Sequence, residues 1–273
     1  MERLTEVKFI IADIDGTIVN EARDLTPKTK EILQAMNKQG ILFGIASGRP
    51  VDEVSRTVHN WDLGFEADCY IGMNGAELFD LQTQKQYDYY ILKKEWIKEI
   101  IDLMKPFSQE PYIYSHGVIK CVEDNLQISK SAQHAHKDVI VVEDISELYE
   151  EDNGKVMFRL DENKMAEVEA HFEALNLEHY KAFKTQPTLI EFANRKVSKA
   201  YALHKFCEMR GIAIEHVAAF GDTSNDNDML EASGIGVCLK NGTDDTKAIA
   251  DYITQLTNEE DGFADFVAQY ILN

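Results

Sequence analysis

No apolar run in the chain approaches the ~20 residues that a membrane-spanning helix requires. Cysteine is scarce. Cys69, Cys121, Cys207 and Cys238 form no CxxC pair and no zinc-ligand spacing. A chain of this size needs no disulfide staples, so four reduced thiols are expected. Positive charge is short: 28 Lys+Arg stand against 48 Asp+Glu, a formal net charge of −20. That excludes nucleic acid as a main partner, because phosphate backbones are gripped by clustered Lys and Arg. An anionic membrane surface is excluded for the same reason. The opening MERLTEVKFI has no basic stretch followed by an apolar segment. No signal peptide is expected, and the expected location is the cytoplasm. Internal repeats and low-complexity linkers are also missing. His134 and His136 form an HAH tripeptide with no Cys or carboxylate at a recognisable ligand spacing, so a solvated surface segment is expected there. Asn241-Gly242-Thr243 fits a glycosylation sequon and, without a secretory signal, reads as a turn. What the chain does have is apolar material. Of its 273 residues 44% are hydrophobic and 28% charged, enough for real cores in one large domain or two modest ones.

VKFIIADID (7–15) is a continuous apolar run that ends in acids. Without alternation, such a run predicts a strand buried on both faces, the parallel-sheet pattern. Thr26 as N-cap, Pro27 behind it, Ile32, Leu33 and Met36 at helical spacing, and Gly40 as the stop predict a helix. ILFGIAS (41–47) is a second buried strand, Pro50 opens another helix, and CYIGMNG (69–75) is a third strand. This rhythm is that of a doubly wound α/β sheet. It changes after residue 76, where a hairpin, a helix at 94–104, paired strands at 111–124, a strand at 155–160, a helix at 163–175 and strands through 187–194 predict an α+β unit. The opening rhythm returns with a helix at 197–211, a strand at 217–222, a helical 225–233, a strand at 235–239 and a last helix at 263–272. The expected plan is a doubly wound parallel-sheet core, residues 1–81 and 188–273, interrupted by an inserted α+β domain at 82–187.

Two predicted strands end in carboxylates, IIADIDGT (10–17) and AAFGDTSND (218–226). A third, ILFGIASGR (41–49), ends in a hydroxyl, a glycine and an arginine. In open parallel sheets ligands bind beyond the carboxyl ends of the strands, so these three ends are expected to meet at one crevice. Asp13 and Asp15, two apart in an extended segment, are expected on one side of the chain. With Asp222 and Asp226 they make four carboxylates, which repel unless a cation or a shared proton separates them. Hard oxygen ligands with positions left for water and substrate phosphate describe Mg2+. Asp226 and Asp228 have an ordinary alternative as turn formers beside a helix N-terminus. For Asp13 that alternative is poor, because an acid at the end of FIIA is costly to desolvate without a partner.

The string DIDGT (13–17) resembles the first motif, DxDGT, of the haloacid dehalogenase superfamily of phosphohydrolases. Ser47 in ASGRP resembles its second motif, Lys199 in VSKAYAL its third, and GDTSND (221–226) its fourth, in order and over essentially the whole chain. The long insertion between the second and third is similar to the α+β cap of the Cof-type branch. Asn74-Gly75-Ala76 is similar to the turn with which that branch leaves its core, and KNGTDDTKAIADYIT to its C-terminal pattern. Phe192 to Lys196 depart mildly, standing where many relatives have a glycine-containing turn.

The resemblance implies a Mg2+-dependent phosphatase that works through an aspartyl-phosphate. It implies Asp13 as nucleophile, and Asp15 as the acid that protonates the leaving alcohol and then activates water. A crowded acidic site would help raise the pKa that an acid needs. Mg2+ is implied between Asp13, the backbone carbonyl of Asp15 and Asp222, with Asp226 orienting the site or a metal-bound water. Phosphate is implied at Ser47, the Gly48 and Ile14 amides, Lys199 and Asn225, with Thr17 capping the turn after the first motif. Without the resemblance, Lys199 reads as a solvated helix lysine and Ser47 as a helix cap. Arg49 either reaches the substrate or pairs with a nearby acid, and Asn74 is a candidate substrate contact. In this branch the cap closes over the core and excludes water, so cap residues read the leaving group. Tyr112, Tyr114, His116, Lys120, Lys181 and Lys184 are the candidates, with plain sheet surface as the alternative. The expected partner is a small phosphorylated metabolite, either a sugar phosphate or a phosphorylated cofactor, and no protein partner is implied. A sugar phosphomutase and a non-catalytic metabolite sensor on the same fold stay open as alternatives.

Overall fold

In the computed structural model, which describes residues 4, 6–108 and 110–272, the first apolar run becomes the strand Phe9–Ala12, wholly buried. It pairs in parallel with Leu42–Ala46 on one side and Val217–Gly221 on the other. Helices pack on both faces of this parallel strand, which is why its sequence shows no polar alternation. Ile235–Cys238 and Tyr252–Ile253 extend the sheet on one flank and Cys69–Gly72 on the other, all parallel. Two antiparallel strands, Glu77–Asp80 and Lys85–Asp88, complete eight.

Side chains alternate across this sheet. Ile10 and Ala12 pack with Leu33, Met36, Val54, Phe263 and Val267, which are carried on helices Pro27–Lys38, Val51–Asn60 and Gly262–Tyr270. Phe9 and Ile11 pack with Ala202, Leu203, Phe206 and Met229 from helices Lys199–Arg210 and Asn227–Ala232. Helix starts follow local chemistry. Thr26 accepts the Thr29 N–H at 3.1 Å ahead of Pro27, and Ser198 accepts the Tyr201 N–H at 3.2 Å ahead of Lys199.

The insertion forms a six-stranded sheet in the order Tyr180–Gln186, Leu189–Asn194, Val156–Arg159, Pro111–Ser115, Val118–Cys121, Val139–Val141. Helices Lys94–Met104 and Glu162–Leu175 cover one face through Ile97, Ile100, Val168 and Phe172, packed on Phe158 and Phe192. Helix Leu126–Ala135 sets Ile128 and Ala132 against Tyr112, Cys121 and Met157 on the other.

The chain divides into two compact units. One comprises the described residues through Tyr89 together with those from Ser198 onward, and the other is Tyr90–Val197. Strand pairing moves the expected bounds of 81/82 and 187/188. Lys85–Asp88 hydrogen-bonds into the first sheet, and Leu189–Asn194 pairs with Val156–Arg159 in the second. Within 125–154, where periodicity predicts no element, the structure has helix Leu126–Ala135, strand Val139–Val141 and the short turn of helix Ile145–Tyr149. His136 is exposed at the left-handed end of that first helix, whereas the side chain of His134 lies outside the described residues. Among the described residues no helix is long and apolar enough to cross a membrane.

Candidate active site

Asp13 stands at the carboxyl end of Phe9–Ala12, where the chain enters the tight helical turn Ile14–Ile18. Gly16 makes that turn with φ +79°, and any side chain there would collide with the Asp222 carboxylate. Lys199, the first residue of its helix, is 1% exposed. Its Nζ lies 2.6 Å from Asp13 Oδ1 and 2.6 Å from Asp226 Oδ1. Asp226 is fully buried, and its Oδ2 accepts the amides of Asp222 at 3.0 Å and Thr223 at 3.2 Å. Thr17 donates to Asp222 Oδ1 at 2.9 Å. Asp13, Asp222 and Asp226 thus bring carboxylate oxygens within 4.8 Å of one another.

Such crowding has a cost that titration exposes. Burial pushes the Asp13 carboxyl well above the usual range; Lys199 opposes the rise, and Asp226 and Asp222 add to it. Burial, then the Asp226 charge, pushes Asp222 up to about 7 against the pull of Thr17 and Lys199. For Lys199, burial works to lower the pKa, but Asp13 and Asp226 outweigh it and hold the ammonium protonated. Once all three are ionised, the buried carboxylates facing one ammonium leave an excess of two negative charges. A small hard divalent cation fits that charge and that all-oxygen donor set. Asp226 already engages Lys199 with one oxygen and two amides with the other, so Asp13 and Asp222 are the side chains that can turn oxygens to the ion.

The raised carboxyl of Asp222 gives a pH prediction. Between about pH 4 and about pH 7 the folded chain keeps a proton there that the unfolded chain has released, so this group's contribution to stability falls as pH rises. A bound cation replaces that proton. The rise in melting temperature on adding Mg2+ to EDTA-treated protein should therefore grow from pH 5 to pH 8. Melting curves across that range check it, and a Mg2+ shift independent of pH contradicts it.

Asp15 does not join the cluster. The expectation of a shared side assumed an extended chain, and the turn at Ile14–Ile18 breaks it. Both Asp15 oxygens instead accept from Arg49, whose Nη2 lies 2.6 Å from each, and Arg23 Nε stands 3.7 Å away. Of the two expectations for Arg49, this is the pairing with an acid; Arg49 also reaches Glu53 at 3.5 Å. Ser47 is buried, and its Oγ accepts the Arg49 amide at 3.2 Å rather than capping the helix that follows Pro50. The Gly48 Cα faces the Asn74 amide group, and Asn74 in turn accepts from Asn225 Nδ2 at 3.3 Å. Ile14 is buried, leaving its backbone as the part available to a ligand. Of the candidates in the second unit, Tyr112 is 1% exposed and packed in the core, His116 pairs with Glu151 at 3.0 Å, and Lys181 and Lys184 are exposed on one strand. Tyr114 and Lys120 are half-buried on neighbouring strands.

Arg23 carries no signal in the sequence, and Asn241 enters only through the resemblance of its segment to the family's C-terminal pattern. Arg23, in a loop at φ +66°, joins Arg49 at Asp15. Asn241 donates its amide to the Gly16 carbonyl at 2.8 Å, and Thr243 N–H donates to the Asp222 carbonyl at 2.8 Å. The segment from Asn241 to Thr243 therefore ties to both acidic loops.

The family model for haloacid dehalogenase-like hydrolases matches residues 10–267. The chain is 26% identical to the 5-amino-6-(5-phospho-D-ribitylamino)uracil phosphatase YitU of Bacillus subtilis (strain 168), over 97% of its own length and 98% of the relative's. It is 26% identical to the phosphatase YwpJ of the same organism, over 94% and 98%. The fold is similar to that of a haloacid dehalogenase-like hydrolase from Bacteroides thetaiotaomicron, with TM-score 0.85 and 25% identity over 96% of this chain and 99% of that one.

Proposed function

Because the chain belongs to the haloacid dehalogenase-like hydrolases and is a Cof-type phosphatase among them, we propose that it hydrolyses small phosphorylated metabolites with Mg2+ through an aspartyl-phosphate on Asp13. The observation that carries this reading is the buried chain Asp13–Lys199–Asp226 beside Asp222. A carboxylate oxygen at a strand end, next to a fixed ammonium, is a nucleophile placed against an anionic substrate.

Asp13 attacks phosphorus; its oxygen forms the new P–O bond while the bond to the leaving alcohol breaks. Asp15 supplies the proton that the leaving oxygen takes up, then removes one from the water that attacks the phosphoryl group and frees Asp13. Both Asp15 oxygens accept from Arg49, so one must be released before it can carry that proton. Lys199, Ser47, Asn225 and the amides of Ile14 and Gly48 hold the phosphoryl oxygens. Asp13, the Asp15 carbonyl and Asp222 would hold Mg2+, whose charge would offset the repulsion between carboxylate and phosphate. Asp226 fixes Lys199 and the Asp222 loop, and Thr17 fixes the Asp222 carboxylate.

The substrate class is a sugar or polyol phosphate or a phosphorylated cofactor. A relative named for a phosphoribitylamino-uracil supports including that compound in any screen. Purified protein with Mg2+ should release inorganic phosphate from members of a panel of sugar phosphates, polyol phosphates, 5-amino-6-(5-phospho-D-ribitylamino)uracil, nucleotides, flavin mononucleotide and pyridoxal phosphate, and EDTA should stop it. Isomerisation without release would put a mutase in its place, and tight binding of one member without turnover a sensor.

A further inference from the structure

The turn Met73-Asn74-Gly75 follows the strand Cys69–Gly72 and belongs to none of the acidic loops, yet it touches three of the four motif segments. All three residues have left-handed φ: +49° at Met73, +57° at Asn74 and +103° at Gly75. Asn tolerates that region because its side chain compensates locally, but for Met it costs energy. A run of this kind persists only when its surroundings over-determine it, and such runs collect at functional sites.

The surroundings here are the phosphate-side loops. Met73 N–H donates to the Arg49 carbonyl at 2.9 Å, and Asn74 N–H to the Ser47 carbonyl at 3.0 Å. Both ends of Ser47-Gly48-Arg49 are thereby pinned. The Asn74 side chain lies against Gly48, where an added Cβ would meet its Oδ1 at 3.2 Å. The same Oδ1 accepts from Asn225 Nδ2 at 3.3 Å, and the Asn225 Oδ1 accepts from the Thr223 hydroxyl at 2.5 Å. Asn225 is otherwise exposed, at the tip of its loop. Gly75 packs on the Ser198 carbonyl and the Lys199 amide so closely that any Cβ there would collide with the backbone. The turn therefore meets the Ser47 loop, the residue before the catalytic lysine, and the Asn225 loop at once.

We propose that Asn74 is a positioning residue for phosphate: its Oδ1 orients the Asn225 amide toward the phosphoryl oxygens while its backbone fixes the Ser47–Gly48 loop. The inference rests on the phosphatase reading and assigns Asn74 a task other than contact with the leaving group. Its side chain acts through Asn225, so the two residues must be energetically coupled.

Asn74→Gly separates side chain from backbone, because glycine keeps the left-handed turn without strain while removing the amide. Inorganic phosphate, titrated calorimetrically with Mg2+ present, is the probe. Asn74→Gly should weaken phosphate binding about tenfold, the loss expected for one hydrogen bond to a charged group. It should melt with the native chain. Asn225→Ala should cost a similar factor, and the double variant should bind about as weakly as either single one rather than about a hundredfold worse. With a generic aryl phosphate, KM should rise with the same factor. If the native chain holds phosphate and Asn74→Gly holds it equally, or if the two losses multiply, the inference is wrong and the phosphatase reading survives. If the native chain neither holds phosphate nor releases it from esters, that reading fails and the inference with it.

Discussion

Asp13→Asn should abolish phosphate release, by at least about 10³-fold in kcat, because an amide offers no nucleophilic oxygen for the first bond to phosphorus. The same substitution should not weaken the fold. The Asp13 carboxyl is pushed up by burial, so its ionised form is disfavoured by its own surroundings and a neutral isostere removes that penalty. Lys199 keeps Asp226 at 2.6 Å. In EDTA the variant should therefore melt at or above the native temperature while being inactive with Mg2+. Steady-state kinetics and melting curves on one preparation check both halves. Retained turnover would remove Asp13 from the chemistry, and a large loss of stability would show that the carboxylate is a structural ion-pair partner.

Lys199→Met should have the opposite balance. It leaves Asp13, Asp222 and Asp226 buried without the ammonium that Asp13 and Asp226 pair with. Breaking a buried ion pair from one side costs about 3–5 kcal/mol, because the surviving charges have neither water nor a partner. Here two carboxylates lose the same ammonium. The urea midpoint in EDTA should fall accordingly, and Mg2+ should restore part of it by supplying positive charge to the same oxygens. Activity should be lost together with the ammonium that faces the phosphoryl group. A midpoint equal to that of the native chain would mean that the three carboxylates already share protons and that Lys199 carries no electrostatic load.

The two substitutions act on the part of the site most legible in the sequence. Continuous apolar runs such as Phe9–Ala12 announce strands buried on both faces, and the acids at their ends announce where charge collects. Asp13, Asp222, Asp226 and Thr17 meet because the parallel register sets Ala12 beside Phe220. The strand at 187–194 reads as part of the α+β unit, yet the expected bound at 187/188 cuts it off. Every residue of Leu189–Asn194 is buried, and its pairing with Val156–Arg159 ties it to the second sheet. The hairpin partner Lys85–Asp88 fails differently: it is mostly exposed, and only its pairing with Glu77–Asp80 ties it to the first sheet. Asp15 escaped because spacing along a strand says nothing once the chain turns. Arg23 escaped because it acts from a loop, and although the segment of Asn241 resembles the family pattern, its contact with Gly16 spans 225 positions of sequence. No periodicity records a contact of that kind.

The mechanism requires a phosphoryl group covalently held on Asp13, and that intermediate can be trapped. p-Nitrophenyl phosphate has a leaving group that needs little help from an acid, so Asp15→Asn should still form the intermediate while hydrolysing it slowly. Acid-quenched Asp15→Asn protein, digested and weighed by mass spectrometry, should carry one phosphoryl group on the peptide containing Asp13. Borohydride should convert that aspartate to homoserine, and Asp13→Asn should carry no label. A phosphoryl group on another residue, or burst release of p-nitrophenol with no protein-bound phosphate, would mean that Asp13 is not the nucleophile.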